Sequence, residues 1–145
     1  AEAIVALDAT TLAVKGSWQV PLAAQVSDGD WGTTPTLIGG GLVVATNKNG
    51  VVYAFQRSNI SAGPVWQQNV ANGGACPTCG DGSVSSDAFD GTQLYVGGSK
   101  TSVGSIAYPG SISALDPLTG KAVWRQGQPD YVISALAAVN GLVLA

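Results

Sequence analysis

Hydrophobic residues in this chain occur mostly in short runs, separated by segments rich in glycine, proline and aspartate. The run "SISALD" (residues 111–116) alternates apolar and polar positions, and a turn-forming segment follows it. Valine, isoleucine, threonine, tyrosine and tryptophan favour extended structure, and no segment shows a convincing helical period. The stretch "ISALAAV" (residues 133–139) is compatible with either a helix or a strand. The pattern predicts an all-β protein built of short strands and tight turns.

One longer pattern occurs three times. The stretch "GSISALDPLTGKAVW" (residues 110–124) joins a strand, an Asp-x-x-Thr-Gly turn and a second strand that contains Trp124. Two weaker copies, "AIVALDATTLAVKGSW" and "GVVYAFQRSNISAGPVW", contain Trp18 and Trp66, and the latter copy lacks the aspartate and the Thr-Gly pair. The tryptophans are 48 and 58 residues apart, which suits four-stranded modules of about 40 to 50 residues with loop insertions. The repeat therefore predicts the blades of a β-propeller.

The turn and the tryptophan of this repeat have separate physical roles. Asp116 is expected to accept hydrogen bonds from backbone N–H groups one and two residues on, and Gly120 to adopt the positive φ that closes the turn. The tryptophans are expected on outer strands, where a large apolar ring covers the seam between adjacent blades.

Counting strands along the chain predicts about three blade equivalents. They are a half blade over residues 1–20, full blades over 34–69 and 84–126, and a half blade over 131–145. A closed propeller typically has four to eight blades. We therefore expect a segment of a larger ring, completed by the remaining blades or by a second copy of the chain, because the open edges of half blades invite aggregation.

Composition excludes several classes of function. With six lysines and arginines against nine aspartates and glutamates, no cationic surface for nucleic acid is expected. No apolar run approaches the roughly 20 residues needed to span a bilayer. The chain contains no histidine, which excludes imidazole metal sites and Ser/His or Cys/His nucleophile pairs. Because it begins at Ala1 without a leader, a mature chain or a piece of a larger one is expected.

The only cysteines, Cys76 and Cys79, lie in "GGACPTCGDGS". This Cys-x-x-Cys spacing is open to three interpretations: a redox dithiol, half of a zinc site, or a small structural disulfide. The sequence places no cation or helix start beside the pair to activate a redox dithiol, and it contains no histidine or further cysteine to complete a zinc site. A disulfide that staples the loop is the favoured interpretation, and it would indicate an extracytoplasmic location.

The pattern "ALDPLTGKAVW" (residues 114–124) resembles the repeat of pyrroloquinoline quinone (PQQ) type β-propellers. That superfamily includes quinoprotein alcohol dehydrogenases and non-catalytic relatives such as outer-membrane assembly lipoproteins. The resemblance covers nearly the whole chain and implies the fold more strongly than any activity. It is consistent with a periplasmic or secreted protein. Dehydrogenases of this class have directly adjacent cysteines near the quinone, whereas two residues separate Cys76 and Cys79 here.

A second stretch, "SDGDWGTTPTLIGGGLVVATNKNGVVYAFQR" (residues 27–57), resembles the quinoprotein alcohol dehydrogenase segment in which an aspartate precedes a basic-Asn-Gly turn. On that resemblance Asp30 is the catalytic aspartate, Lys48 contacts the quinone carbonyls, and Asn49 belongs to the cofactor-binding turn. The spacing is shorter than in methanol dehydrogenase-like members, so Asp28 can align in place of Asp30. Gln56 also replaces the aspartate usual at its position.

The resemblance implies that the parent protein oxidises a small alcohol with PQQ and Ca²⁺. Asp30 would accept the hydroxyl proton, while Lys48 would stabilise negative charge on the quinone. The isolated chain is expected to hold no cofactor and to be inactive. The alternative function is a non-catalytic propeller that binds protein or polysaccharide, because Asp-Gly-Asp and Asn-Lys-Asn-Gly are also ordinary turn sequences.

Overall fold

The computed structural model describes residues 2–74, 76, 81–139 and 141–145. Within these residues there are twelve strands and two short 3-10 turns, the turns at Leu22–Ala24 and Ile60–Ala62. The strands are β1 (Ala3–Leu7), β2 (Val14–Gln19), β3 (Thr36–Leu37), β4 (Leu42–Asn47), β5 (Val51–Gln56), β6 (Trp66–Asn69), β7 (Ala88–Phe89), β8 (Leu94–Val103), β9 (Ile106–Leu115), β10 (Ala122–Gln128), β11 (Ala137–Val139) and β12 (Leu142–Leu144). None of the helical turns in the described ranges is long and apolar enough to cross a membrane.

The strands form antiparallel sheets of two sizes. β3 to β6 pair in chain order in one four-stranded sheet, and β7 to β10 do so in another. We call these sheets blade one and blade two. β1 pairs with β2, and β11 pairs with β12, in two-stranded sheets. The prediction of an all-β fold with four-stranded antiparallel blades is confirmed.

The first strands of successive sheets lie next to one another. β3 contacts β7, and β7 contacts β11, whereas β6 and β10 occupy the far edges of their sheets. This order identifies β3, β7 and β11 as inner strands and β6 and β10 as outer strands. The ambiguous stretch "ISALAAV" ends in β11, where pairing with β12 satisfies its backbone groups in extended form.

The main hydrophobic core lies between blade one and blade two. Val44 and Val52 of blade one pack in one cluster with Leu94, Val96 and Leu115 of blade two, and all five are buried. β4 and β5 are buried along most of their length because neighbouring structure covers both of their faces. β2 instead alternates between exposed and half-buried positions over most of its length. Strict alternation therefore marks strands covered on one face only.

Tryptophans of the repeat lie at the junctions between sheets. Trp18 of β2 packs against Tyr53 and Phe55 of blade one, with ring centroids 5.2 Å apart in both pairs. Trp66 of β6 donates its indole N–H to the carbonyl oxygen of Pro117 in blade two, at 3.1 Å. The predicted position in outer-strand seams is confirmed for these two rings.

The turn at residues 116–120 has the predicted form with one correction. Asp116 Oδ1 accepts hydrogen bonds from the N–H groups of Leu118 and Thr119, two and three residues on rather than one and two. The reason is that the Thr119 hydroxyl also binds Oδ1, which draws the turn around the carboxylate. Gly120 has a φ of 72°, as predicted. It also lies directly under the Trp66 ring, so a Cβ there would be 2.4 Å from Cε3 of the indole.

Candidate functional site: a lysine between two aspartates

Lys48 brings together the two aspartates singled out in the sequence. It lies in the turn between β4 and β5, and its ammonium forms ion pairs with Asp28, at 3.1 Å, and with Asp30. The Lys48 side chain is only 13% exposed, whereas those of Asp28 and Asp30 are 66% and 63% exposed. Both aspartates lie in the loop between β2 and β3. The ammonium group is therefore largely covered, and the carboxylates remain open to solvent.

Asn47 attaches this loop to the end of β4. Its fully buried side-chain amide donates to the carbonyl oxygens of Gly29, at 2.8 Å, and Asp30, at 3.2 Å. The backbone N–H of Lys48 also donates to the Asp30 carbonyl oxygen, at 3.2 Å. One hydrogen bond to Gly29 and two to Asp30 thus fix this part of the loop relative to the lysine, which positions the ion pairs.

Asn49, predicted as a cofactor-binding residue, has a side chain that is engaged within the protein. Its amide donates to the Ala24 carbonyl oxygen, at 3.0 Å, and to the Tyr53 hydroxyl, at 2.7 Å. Its Oδ1 accepts the backbone N–H of Val51. Asn49 therefore holds the turn against the loop between β2 and β3, and its contact with a cofactor stays a prediction.

A recess of about 280 Å³ opens beside the aspartates. It is lined by Asp28 and Asp30 together with Glu2, a residue that sequence analysis did not select. Glu2 is 8% exposed, and its Oε2 has no hydrogen-bond partner among the described residues. Burial raises the pKa of Glu2, although a hydrogen bond from the backbone of Val26 opposes the effect.

Electrostatic interactions keep Lys48 charged. Hydrogen bonds to Asp30 and then to Asp28 raise the pKa of Lys48 above its ordinary value. An ammonium group has three N–H donors, and the two carboxylates engage two of them. The recess itself is lined by the carboxylates of Glu2, Asp28 and Asp30, which suits a ligand that donates hydrogen bonds from hydroxyl or N–H groups.

A second lysine–aspartate ion pair joins Lys100 to Asp81. Lys100 is six residues after Leu94, the first residue of β8, just as Lys48 is six residues after Leu42, the first residue of β4. The two lysines therefore lie near the same end of consecutive blades, Lys48 in the turn after β4 and Lys100 within β8.

The aspartates of the two pairs each follow a glycine in the loop before the first strand of their blade. The two pairs are offset by one residue, because the Lys48 N–H donates to the Asp30 carbonyl oxygen in blade one, whereas the matching bond in blade two joins the Ser99 N–H to the Gly82 carbonyl oxygen. Sequence reasoning missed this second pair, although the repeated Gly-Asp spacing was a signal that could have found it.

Asp87 is a second buried acid that the sequence did not reveal. It is 6% exposed, and both of its carboxylate oxygens lie within hydrogen-bond distance of the Thr46 hydroxyl, at 3.1 and 3.0 Å. Burial raises the pKa of Asp87 to about 7. Because Thr46 is in blade one and Asp87 immediately precedes β7, this contact joins the two blades.

The predicted Cys76–Cys79 disulfide includes Cys79, which lies outside the described residues. The pairing therefore stays a prediction.

Comparison with known proteins identifies the fold. No family model and no curated protein matches the chain. The solved structure of BamB from Moraxella catarrhalis matches 95% of this chain, with 17% identity and a TM-score of 0.64. A europium-containing methanol dehydrogenase matches 86%, with 18% identity and a TM-score of 0.60. The quinohemoprotein alcohol dehydrogenase from Comamonas testosteroni matches 86%, with 19% identity and a TM-score of 0.53.

These matches show a PQQ-type β-propeller fold and confirm that resemblance. The chain spans 38%, 21% and 18% of the lengths of the three neighbours. It therefore corresponds to a part of each of these propellers. At identities below one fifth, the similarity shows fold and leaves activity to be argued from the site.

Proposed function

We propose that the protein containing this chain is a PQQ-dependent alcohol dehydrogenase and that the recess beside Lys48 is part of its active site. The main support is the joint contact of Lys48 with Asp28 and Asp30 at the edge of a recess. Two of the structural neighbours are also alcohol-oxidising dehydrogenases. The proposed substrate class is a small alcohol.

Alcohol oxidation requires a group that accepts the hydroxyl proton as hydride leaves carbon. A carboxylate beside Lys48 supplies that acceptor, and the resemblance assigns it to Asp30. Lys48 supplies a fixed positive charge near oxygen atoms that become negative during the reaction. Asn47 and Asn49 act as positioning residues, because their side-chain amides hold the β2–β3 loop against the β4–β5 turn.

The chain supplies only part of a quinone site. The third N–H donor of Lys48 would meet a quinone oxygen, whereas the recess lining holds three carboxylates and no cation, so the cationic contacts of this anionic cofactor would come from the other blades. PQQ, when bound, supplies the two-electron acceptor for the substrate hydride. Ca²⁺ fits less well, because no three acidic or cysteine side chains among the described residues come together in metal-ligating geometry. No step is therefore derived through a metal.

The remaining blades of the ring are proposed as the immediate partners of this chain, since it spans only part of each structural neighbour. A periplasmic or secreted location is proposed with them, on the support of the Cys-x-x-Cys loop.

A second candidate function is a non-catalytic binding propeller. The observation that favours it is the recurrence of the lysine–aspartate pair as Lys100 and Asp81 in blade two. An ion pair repeated in consecutive blades is the expected form of a structural feature of the repeat. In that case the recess would be a consequence of blade geometry and would hold no quinone.

The decisive experiment uses the full-length protein reconstituted with PQQ and Ca²⁺. Reduction of a dye by simple alcohols is measured for the wild type, Lys48→Ala and the matched control Lys100→Ala. We expect Lys48→Ala to weaken both quinone binding and turnover, while Lys100→Ala preserves both. A wild-type protein that binds no quinone would support the binding propeller. Equal losses of turnover in both variants would show that the effect of Lys48→Ala is not specific to the recess.

A further inference from the structure

Glu2 lines the recess with a carboxylate that is buried and only partly paired. The residue is 8% exposed, and its Oε2 has no hydrogen-bond partner among the described residues. Its Oε1 lies so close to Gly29 that a Cβ at that position would overlap it, so glycine is required there to admit the acid. A buried carboxylate oxygen without a hydrogen bond costs free energy. A ligand in the recess that donates a hydrogen bond would remove that cost.

The recess also carries an excess of negative charge. Glu2, Asp28 and Asp30 line it, and the ammonium of Lys48 is shared between the two aspartates. Burial is the main cause of the raised pKa of Glu2, and the charge of Asp30 adds to it. A positively charged ligand would therefore be attracted by all three carboxylates, and an anion would be repelled.

The arrangement of the acids narrows the class of cation. No three acidic or cysteine side chains among the described residues come together in metal-ligating geometry, so a single metal ion does not match this recess. An organic ammonium group has three N–H donors that point in different directions. Its hydrogen bonds to carboxylates are charge-assisted and stronger than those of a neutral hydroxyl. Lys48 contacts only Oδ2 of Asp28 and Oδ1 of Asp30, so the other oxygen of each aspartate faces no competing ion pair with this lysine.

We propose that the recess binds the ammonium group of a small amino alcohol, with the carboxylates of Glu2, Asp28 and Asp30 as its hydrogen-bond acceptors. This binding requires no quinone. The identification of the amino alcohol as the substrate rests on the proposed function, in which its hydroxyl end is oxidised.

The test measures binding by calorimetry to the full-length protein without PQQ. The three probes are ethanolamine, ethanol, which lacks the charge, and tetramethylammonium, which has the charge but no N–H donor. The variants are Glu2→Gln, Asp28→Asn and the matched control Asp81→Asn, whose carboxylate pairs with Lys100 in blade two. Asn tolerates a positive φ and the Asp28 side chain is 66% exposed, so Asp28→Asn supplies the test even if Glu2→Gln does not fold.

We expect ethanolamine to bind at least about tenfold more tightly than ethanol or tetramethylammonium, because only ethanolamine combines charge with N–H donors. Glu2→Gln and Asp28→Asn should each weaken ethanolamine binding by about tenfold, the effect of losing one hydrogen bond to a charged group. Asp81→Asn should leave it unchanged. Equal binding of ethanolamine and tetramethylammonium would overturn the proposal, and so would an equal loss in all three variants.

Turnover with PQQ and Ca²⁺ present separates this proposal from the proposed function. Equal kcat/KM for ethanol and ethanolamine would retain the dehydrogenase and overturn the ammonium site as a substrate site. Selective binding of ethanolamine without turnover of any alcohol would support the ammonium site and contradict the proposed function.

Discussion

Blade one and blade two place the same ion pair in different surroundings. In blade one, β4 ends at Asn47 and Lys48 lies in a tight turn closed by Gly50, which has a φ of 82°. In blade two, β8 continues to Val103, so Lys100 lies within a longer hairpin. The side chain of Lys48 is 13% exposed, and that of Lys100 is 48% exposed. The shorter hairpin lets the preceding loop cover the lysine, and that cover forms one side of the recess.

The comparison shows how a repeat can acquire a site without changing its architecture. Both blades retain the lysine, the Gly-Asp element and the pairing of their first two strands. Blade one adds Asp28 and the asparagines that bind the loop. Features shared by the blades are best explained by folding, and features confined to one blade are the stronger candidates for function.

The largest effect is expected at the seam between the blades, where Asp87 is buried against Thr46 of blade one. The folded pKa of Asp87, about 7, lies above the ordinary value of 3.8. As pH rises through this interval, the unfolded chain loses this proton before the folded chain does. The free energy of unfolding should therefore fall by roughly 4 kcal/mol between about pH 4 and pH 7 on account of Asp87.

Urea unfolding measured across this pH range, for the wild type and Asp87→Asn, checks the prediction. The difference between the two profiles isolates Asp87 from the other acids. Thr46→Val removes the hydroxyl that contacts the carboxylate, so it should extend the fall to higher pH. Parallel profiles for the wild type and Asp87→Asn would contradict the assignment of a raised pKa to this seam.

The next largest effect is expected from substitutions that crowd Trp66 and Trp18 at the two blade junctions. A Cβ on Gly120 would lie 2.4 Å from the Trp66 ring, whereas a Cβ on Gly63 would lie 3.2 Å from Trp18 Nε1. Gly120→Ala should cost about 3 kcal/mol, from left-handed strain and overpacking together, and Gly63→Ala about half of that.

Gly104 provides a matched control, since its φ is 61° and a Cβ there would meet nothing within 4 Å. Gly104→Ala therefore measures only the cost of placing alanine at a positive φ, which should lower the free energy of unfolding by about 1 kcal/mol. Denaturant midpoints of the three variants give the order directly. A loss in Gly120→Ala no greater than in Gly104→Ala would mean that the indole moves aside without cost.

The smallest effect concerns the two lysines. Lys48→Ala leaves two adjacent carboxylates without their shared cation and should lower the free energy of unfolding by about 1 kcal/mol. Lys100→Ala should lower Tm by less, because its ion pair is more exposed to solvent screening. Thermal unfolding at low salt and at high salt tests both statements. A larger loss for Lys100→Ala would reverse the ranking of the two blades.

Much of this architecture was predictable from local sequence chemistry. Asp116, Thr119 and Gly120 form the expected turn because their interactions span only a few residues. The same locality explains why the outer position of Trp66 was predictable: a blade-length period places one tryptophan on each outer strand. Lys48, Asp28 and Asp30 were also singled out from the sequence, and their role at a site stays a prediction.

Glu2 and Asp87 were not predicted, because their environments depend on chain segments distant in sequence. Glu2 lies against Gly29 only after β1 and the β2–β3 loop have packed together. Asp87 is buried by the contact of blade two with Thr46 of blade one. Neither acid is part of a recognisable motif, so its burial could not be read from neighbouring residues.

By itself, the sequence determined the strands, the turns, the repeat and the propeller fold, because hydrogen-bond geometry and side-chain pattern act over short distances along the chain. Only the tertiary structure decided which acids are buried, which lysine is covered and which two carboxylates share it. Those properties arise where separate blades meet, and the cost of removing a charge from water depends on everything packed around it.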